Sequence, residues 1–154
     1  MLFTGYTELT VDAKGRLAIP AKYRNKWDPQ RDGGAWYCVA WPDGSLRLYT
    51  ETAFEALAMS REETLIPDRD EARLQVTFFS QAERLEMDSA GRIMLPKRHL
   101  QKTGLPQEVV MLGAGRRLEI RPREAWEQEE VENFHQLQDN AEQIEQRRRE
   151  PGGG

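Results

Sequence analysis

A ten-residue segment occurs twice in this chain, which restricts it to folds assembled from two related pieces. Val11-Asp12-Ala13-Lys14-Gly15-Arg16-Leu17-Ala18-Ile19-Pro20 returns as Met87-Asp88-Ser89-Ala90-Gly91-Arg92-Ile93-Met94-Leu95-Pro96, with the two aspartates 76 residues apart. Asp, Gly, Arg, two alternate aliphatics and Pro agree in identity or type. Further on, Leu46-Arg47-Leu48 with Ala53-Phe54 is echoed by Leu118-Glu119-Ile120 with Ala125-Trp126, now 72 residues apart. The first half therefore carries about four extra residues, and the turn-like run Asp28-Pro29-Gln30-Arg31-Asp32-Gly33-Gly34 is where they fit.

Both halves read in one order. Alternating residues lead up to Val11 or Met87 as a strand, the Asp-x-x-Gly-Arg segment is a turn, and Leu17-Ala18-Ile19 or Ile93-Met94-Leu95 is a short strand. Proline follows, where a helix begins and its missing N–H is tolerated. In the second half residues 97–103 form that helix, stopped by Gly104 and Pro106. A hairpin comes next, residues 36–41 and 46–49 around Pro42-Asp43-Gly44-Ser45, repeated by residues 109–112 and 118–120 around Gly113-Ala114-Gly115. Between the halves, Asp68-Arg69-Asp70-Glu71 has capping-box spacing, and Ala72, Val76 and Phe79 recur at helical intervals, which predicts a connecting helix. A half with a few short strands and one short helix buries too little to stand alone, so the halves are expected to pair around one core.

Charge has to be divided before it means anything. The chain carries 22 Lys+Arg and 26 Asp+Glu, a formal −4. Residues 124–150 hold nine acids against Arg147, Arg148 and Arg149, a net −6 that leaves +2 for the rest. Within that remainder Lys14, Arg16, Lys22, Arg24, Lys26 and Arg31 crowd around Asp12 and Asp28. A locally basic body with an acidic extension suits an anionic partner. The longest apolar run, residues 36–41, is six residues closed by Pro42, far short of the roughly 20 that cross a bilayer. The start of the chain lacks the pattern of a secretory signal. Cys38, the one cysteine, lies in an apolar run and suits a reducing compartment. The expected location is the cytoplasm.

The repeated motif has a plain physical logic. An aspartate accepts hydrogen bonds from backbone N–H groups a few residues ahead, glycine takes a positive φ, and arginine emerges at the mouth of the next strand. Two readings of the arginines follow. In one, Arg16 folds back on Asp12 and Arg92 on Asp88, and both merely lock the turns. In the other the arginines project among the lysines to meet phosphates or base edges, the guanidinium fork suiting guanine.

These segments, together with the start Met1-Leu2-Phe3-Thr4-Gly5, the run Lys14-Gly15-Arg16-Leu17-Ala18-Ile19-Pro20 and the two-half layout, resemble the MraZ family of bacterial transcriptional regulators within the AbrB/SpoVT swapped-hairpin superfamily. The resemblance covers residues 1–135. It implies an α+β fold of two tandem AbrB-like swapped-hairpin halves forming a pseudo-dimeric β-barrel, with peripheral helices and a C-terminal helical extension. The implied division is residues 1–66 for the first half, 67–125 for the connecting helix and second half, and 126–154 for the extension. It further implies a ring-shaped homo-oligomer that binds double-stranded DNA at short direct repeats upstream of its own operon of division and cell-wall genes, as a repressor. The family's DNA-contacting arginine falls on Arg16 and, by repetition, on Arg92. The expected contact set is Lys14, Arg16, Lys22, Arg24, Arg92, Lys97 and Arg98, with Asp12, Gly15, Asp88 and Gly91 shaping the turns. AbrB-type proteins place two basic residues just before the motif aspartate where this chain has Leu9 and Thr10. Ala90 stands where the first motif has Lys14, although Lys97 and Arg98 partly restore the charge, so the first half is expected to be the main reader.

Other constellations point nowhere. Cys38, His99 and His135 lack metal-ligand spacing, and no cofactor or metal is expected. Gly113-Ala114-Gly115 lacks the third glycine and following helix of a dinucleotide loop. Ser45, Ser60, Ser80 and Ser89 have no neighbouring histidine to activate them, so no enzyme is expected. Trp36, Tyr37, Trp41 and Tyr49 sit at strand positions and read as core. In the extension Phe134, Leu137, Ala141 and Ile144 have heptad-like spacing, and either a helix packed on its own domain or one that joins protomers fits them. Residues 147–154 read as disordered. Besides a DNA-binding repressor, an oligomeric protein-interaction scaffold with purely structural motif arginines stays open.

Overall fold

The computed structural model describes residues 1–60 and 63–150. The first half runs β1 (Tyr6–Thr10), β2 (Arg16–Ala18), α1 (Ala21–Arg24), α2 (Pro29–Asp32), β3 (Trp36–Ala40), β4 (Leu46–Thr50) and α3 (Glu51–Met59). The connector is α4 (Arg69–Ser80), and the second half repeats the order as β5 (Glu83–Leu85), β6 (Arg92–Met94), α5 (Lys97–Thr103), β7 (Glu108–Gly113), β8 (Leu118–Pro122) and α6 (Arg123–His135), followed by α7 (Leu137–Arg149). The local signals act as read. Pro20 and Pro96 are the N-cap residues of α1 and α5, Gly104 closes α5 in the left-handed conformation at φ 67°, and the Asp68 carboxylate accepts from Glu71 N at 2.8 Å to start α4.

The fold is mixed α+β, with one six-stranded antiparallel sheet in the order β1-β7-β8-β4-β3-β5 and a separate ribbon of β2 and β6. Among the described residues only β3·β4 and β7·β8 are hairpins within a half. The ladders β1·β7, β4·β8, β3·β5 and β2·β6 all join one half to the other. A single core follows: Phe3, Leu17, Ile19 and Trp36 pack with Ile93, Leu95, Met111 and Ile120, each at most 1% exposed. On the outer face of the sheet Val39 and Tyr49 meet Phe54 of α3, and Phe54 stacks on Tyr37 at 4.5 Å and on Phe78 of α4 at 6.0 Å. Of the aromatics read as core, Trp36 and Tyr49 are buried, whereas Tyr37 and Trp41 are half-buried. In α4, Phe78 packs against this cluster and Phe79 meets Phe54 edge-on at 5.7 Å, while Val76 stays 69% exposed.

Two expectations need correction. The turn-like run in the first half is the one-turn helix α2. Asp28 caps it through Gln30 N at 3.0 Å, Pro29 supplies a helical φ at the first position, and Gly33 ends it at φ 92°. Asp32 at its end is buried, accepts from Asp28 N at 2.9 Å and pairs with Arg31. The second correction concerns the tail: α7 runs through Arg149, so 147–149 are helical rather than disordered, and three arginines in a last turn suit the negative end of the helix dipole. Residues 151–154 lie outside the described ones.

Two compact units emerge, Met1–Pro122 and Arg123–Gly154. In the second unit α6 and α7 break at Gln136, and Phe134, Leu137 and Ile144 are exposed at 73%, 61% and 46%. Among the described residues no helix is long and apolar enough to cross a membrane. Cys38 is fully buried in β3, and burial pushes its thiol pKa up to about 12, so it is unreactive.

His99 of α5 is fully buried. Its Nε2 faces the Gln81 carbonyl, which can only accept, so Nε2 carries the proton, and Nδ1 has no partner among the described residues. Burial pushes its pKa below the ordinary 6.5, the Gln81 carbonyl and Glu83 opposing and Arg98 and Lys102 reinforcing. Between that lowered value and 6.5 the unfolded chain binds a proton that the folded chain refuses, so stability declines as pH falls below about 6.5. The carboxylates held low by hydrogen bonds and arginines, Asp12, Asp32, Asp88 and Glu119 among them, add their own loss only once pH drops below the ordinary carboxylate range. The melting temperature is expected to fall from pH 7.5 to 5.5 in the natural chain and to stay nearly level in His99→Gln. Equal slopes in the two proteins would exclude His99 as the cause.

Candidate nucleic-acid interface

Each Asp-x-x-Gly-Arg segment closes with the same set of bonds. Asp12 Oδ1 accepts from Lys14 N at 2.9 Å and Arg16 N at 2.8 Å, its carbonyl accepts from Gly15 N at 2.9 Å, and Oδ2 accepts from Arg16 Nε at 2.6 Å. Asp88 repeats this with Ala90 N at 2.9 Å, Arg92 N at 2.9 Å, Gly91 N at 3.0 Å and Arg92 Nε at 2.9 Å. The backbone N–H of the arginine is the largest cause holding each aspartate below the usual carboxylate pKa. Gly15 and Gly91 sit at φ 85° and 76°, where a side chain would be strained.

The turn glycines also tie the halves together. Gly91 O accepts from Ile19 N at 2.9 Å, and Gly15 O accepts from Leu95 N at 2.8 Å. Between these bonds β2 and β6 run antiparallel in the register Arg16↔Met94, Leu17↔Ile93, Ala18↔Arg92. Strand alternation then sorts the side chains: Leu17 and Ile93 are buried at 1% or less, so Arg16, Ala18, Arg92 and Met94 share the opposite face. Diagonal partners on such a face stand about 7–8 Å apart, which brings the two arginines of the repeat together. This convergence cannot be read from either motif alone.

The structure shows the first arrangement that the sequence left open, and only in part. Each arginine is folded onto its aspartate, yet only through Nε. No described residue takes up the Nη groups of Arg16 or Arg92, and both side chains are about a third exposed. Aspartate thus fixes the direction of a guanidinium whose two terminal donors stay available, an arrangement suited to a phosphate or a base edge.

The remaining candidates are placed less uniformly. Lys14 is exposed in the first turn, and Lys97 is exposed at the start of α5. Lys22 Nζ stands 5.0 Å from the Tyr23 ring, whose hydroxyl donates to Thr4 O at 2.7 Å and pins the N-terminal segment. Arg24 lays its stem over Gly91, where a Cβ would collide with it, and its Nε donates to Ile19 O at 2.7 Å. Leu100 occupies the equivalent place over Gly15, so α1 and α5 each brace the other half's turn. Arg98 points elsewhere, its Nη2 pairing with Glu83 at 2.7 Å and donating to Ser80 O at 3.3 Å. Sequence reasoning missed Ala18 and Met94, the exposed residues between the arginines. Their alternation with buried aliphatics was visible, but the ladder that gives it meaning was not.

A model of the family described as "MraZ protein, putative antitoxin-like" matches residues 2–75 and 78–148, one stretch over each half. The chain is 30% identical to the "Transcriptional regulator MraZ" of Coxiella burnetii (strain Dugway 5J108-111) over 126 residues, 82% of this chain and 83% of that protein. It is 34% identical to the protein of the same name in Methylobacillus flagellatus over 125 residues, 81% and 84% of the two chains. With that of Ligilactobacillus salivarius it shares 31% over 142 residues, 90% and 96%.

Proposed function

The chain belongs to the MraZ family, and on that footing we propose that it is a sequence-specific, DNA-binding transcription regulator whose reading element is the β2·β6 ribbon. The observation that carries this reading is the convergence of Arg16 and Arg92 on one exposed face with their Nη groups uncommitted. A major groove about 12 Å wide admits a two-stranded ribbon. Arg16 and Arg92 reach base edges or phosphates, Lys14, Lys22 and Lys97 add charge around them, and Arg24 offers its Nη groups while its Nε stays on Ile19. Arg98 joins only by leaving Glu83, which makes it the weakest member of the set.

The interleaved ladders support the finer architecture, two swapped-hairpin halves closing into a pseudo-dimeric barrel. Copies assemble into a ring, grip short direct repeats upstream of the chain's own division and cell-wall operon, and repress it, acting in the cytoplasm on the nucleoid without catalysing a reaction. The Asp12–Arg16 and Asp88–Arg92 pairs favour a second reading, a scaffold whose motif arginines serve the turns.

Arg16→Ala separates the two. The ribbon reading expects operator affinity to drop about tenfold to a hundredfold for each altered contact, with little change in melting temperature, because a partly exposed surface pair adds little to stability. Affinity of the natural chain should also fall steeply with salt. Fluorescence anisotropy and thermal melts read both quantities. Lost cooperative melting in Arg16→Ala, with no operator binding by the natural chain, would establish the scaffold.

A further inference from the structure

Within the first unit, on the outer face of the six-stranded sheet, a cleft of about 380 Å³ lies between β4, α3 and α4. Tyr49 and Phe78 line it, and Leu57 of α3 with Leu74 and Phe79 of α4 stand at its edges, 42%, 48% and 40% exposed. Apolar side chains clustered in this way on two neighbouring helices mark a surface that another body covers. The rim is cationic. Arg47 lies 3.7 Å over the Trp41 ring with its Nε buried and, among the described residues, without a hydrogen-bond partner. The buried Glu119 is already shared between Arg117 at 2.6 Å and Arg121 at 2.8 Å, and Arg116 on the same rim has no ion-pair partner among the described residues. The cleft therefore calls for an occupant that is apolar on one side and acidic beside it.

The chain itself carries such a segment. In α7, Leu137, Ala141 and Ile144 follow one another at i, i+4 and i+7 and so share a helix face, with Phe134 just upstream. Glu145 lies beside that stripe, Asp139 and Glu142 are turned toward the opposite face, and residues 124–150 are net −6. A helix of 13 residues is about 20 Å long and marginal in water by itself, so its apolar stripe needs a partner surface.

We propose that the α3/α4 cleft of one copy receives the α7 stripe of a second copy, with Leu137 and Ile144 entering the cleft and Glu145 beside them meeting the rim formed by Arg47 and Arg116. The mode is an amphipathic helix in a groove. Donor and acceptor surfaces differ, so the contact is head-to-tail and propagates until it closes. The inference rests on the ring assembly proposed above and identifies the surfaces that build it.

The test uses full-length chains. One variant, Leu57→Glu with Leu74→Glu, spoils the cleft, and another, Leu137→Glu with Ile144→Glu, spoils the stripe. All four positions are exposed, and thermal melts confirm that each variant folds. Each alone is expected to sediment at the single-chain mass of 17.8 kDa, and an equimolar mixture is expected to form a species of twice that mass, because one intact cleft meets one intact stripe. A milder pair guards against misfolding: Arg116→Glu should weaken assembly and Arg116→Glu with Glu145→Arg should restore part of it. Natural mass in either spoiled variant overturns the inference and leaves the ring standing. A mixture that stays at 17.8 kDa overturns docking between copies. A natural chain of 17.8 kDa at micromolar concentration overturns ring and inference together.

Discussion

Divided between residues 66 and 67, the protein is expected to yield two fragments without cooperative thermal transitions, which recover a common transition when mixed. The sheet gives the reason. Fragment 1–66 keeps only the β3·β4 hairpin, and fragment 67–154 keeps only β7·β8. The ladders β1·β7, β4·β8, β3·β5 and β2·β6 are all lost. An isolated two-stranded hairpin is marginal in water, and the stripped strands present unpaired N–H and C=O groups that invite aggregation. The core divides too, Phe3, Ile19 and Trp36 going with one fragment and Ile93, Met111 and Ile120 with the other. Mixing restores every ladder, at the cost of making folding bimolecular. Circular dichroism melts of each fragment and of the equimolar mixture measure this, and one sharp transition in a lone fragment would refute a core built jointly by both halves.

Shortening a multi-repeat operator to one repeat is expected to weaken binding by about 10²- to 10⁴-fold. A single β2·β6 ribbon presents two arginines and a few lysines, and such a small set of charge contacts gives modest affinity at physiological salt. Control of one operon then requires several copies on adjacent repeats, where each contact already made raises the effective concentration of the next. The spacing between repeats should matter as well, because a closed ring holds its ribbons at fixed intervals, and inserting half a helical turn between repeats turns the next site away. Anisotropy titrations on operators of one to four repeats decide the matter. A loss of less than tenfold would identify an independent reader and remove the need for the ring.

How much of this was legible beforehand depends on the range of the physics involved. Asp12 and Asp88 shape their turns through N–H groups two and four residues away, Gly15 and Gly91 take positive φ, Asp68 caps α4, and Gly104 ends α5. All of these act within a few residues of chain, so residue type and spacing suffice to state them. The one-turn helix α2 was not fixed by residue type, since Asp-Pro starts a helix as readily as it starts a turn; the buried Asp32 favours the helix through its bond from Asp28 N and its long-range pair with the Met1 amine. The candidate arginines were legible for the same reason, through the motif that positions them.

What the repeat determined by itself was therefore the order of elements, the two turns and the need for the halves to share a core. Which strands pair was decided only in three dimensions. The strands are short and offer similar apolar residues, in continuous runs in β3 and β7, so β1 had no local reason to choose β7 or β3 to choose β5; burying both halves in a single core selects those partners. The same long-range choice aligned Ala18 with Arg92 and so brought two arginines, 76 residues apart in the chain, onto one face. It also turned Arg98 toward Glu83 and left Leu57, Leu74 and Phe79 exposed beside unpaired arginine, because a helix commits only one of its faces to a sheet and the choice of face follows the packing. Local bonds wrote the motif, and the burial of nonlocal apolar surface decided what it faces.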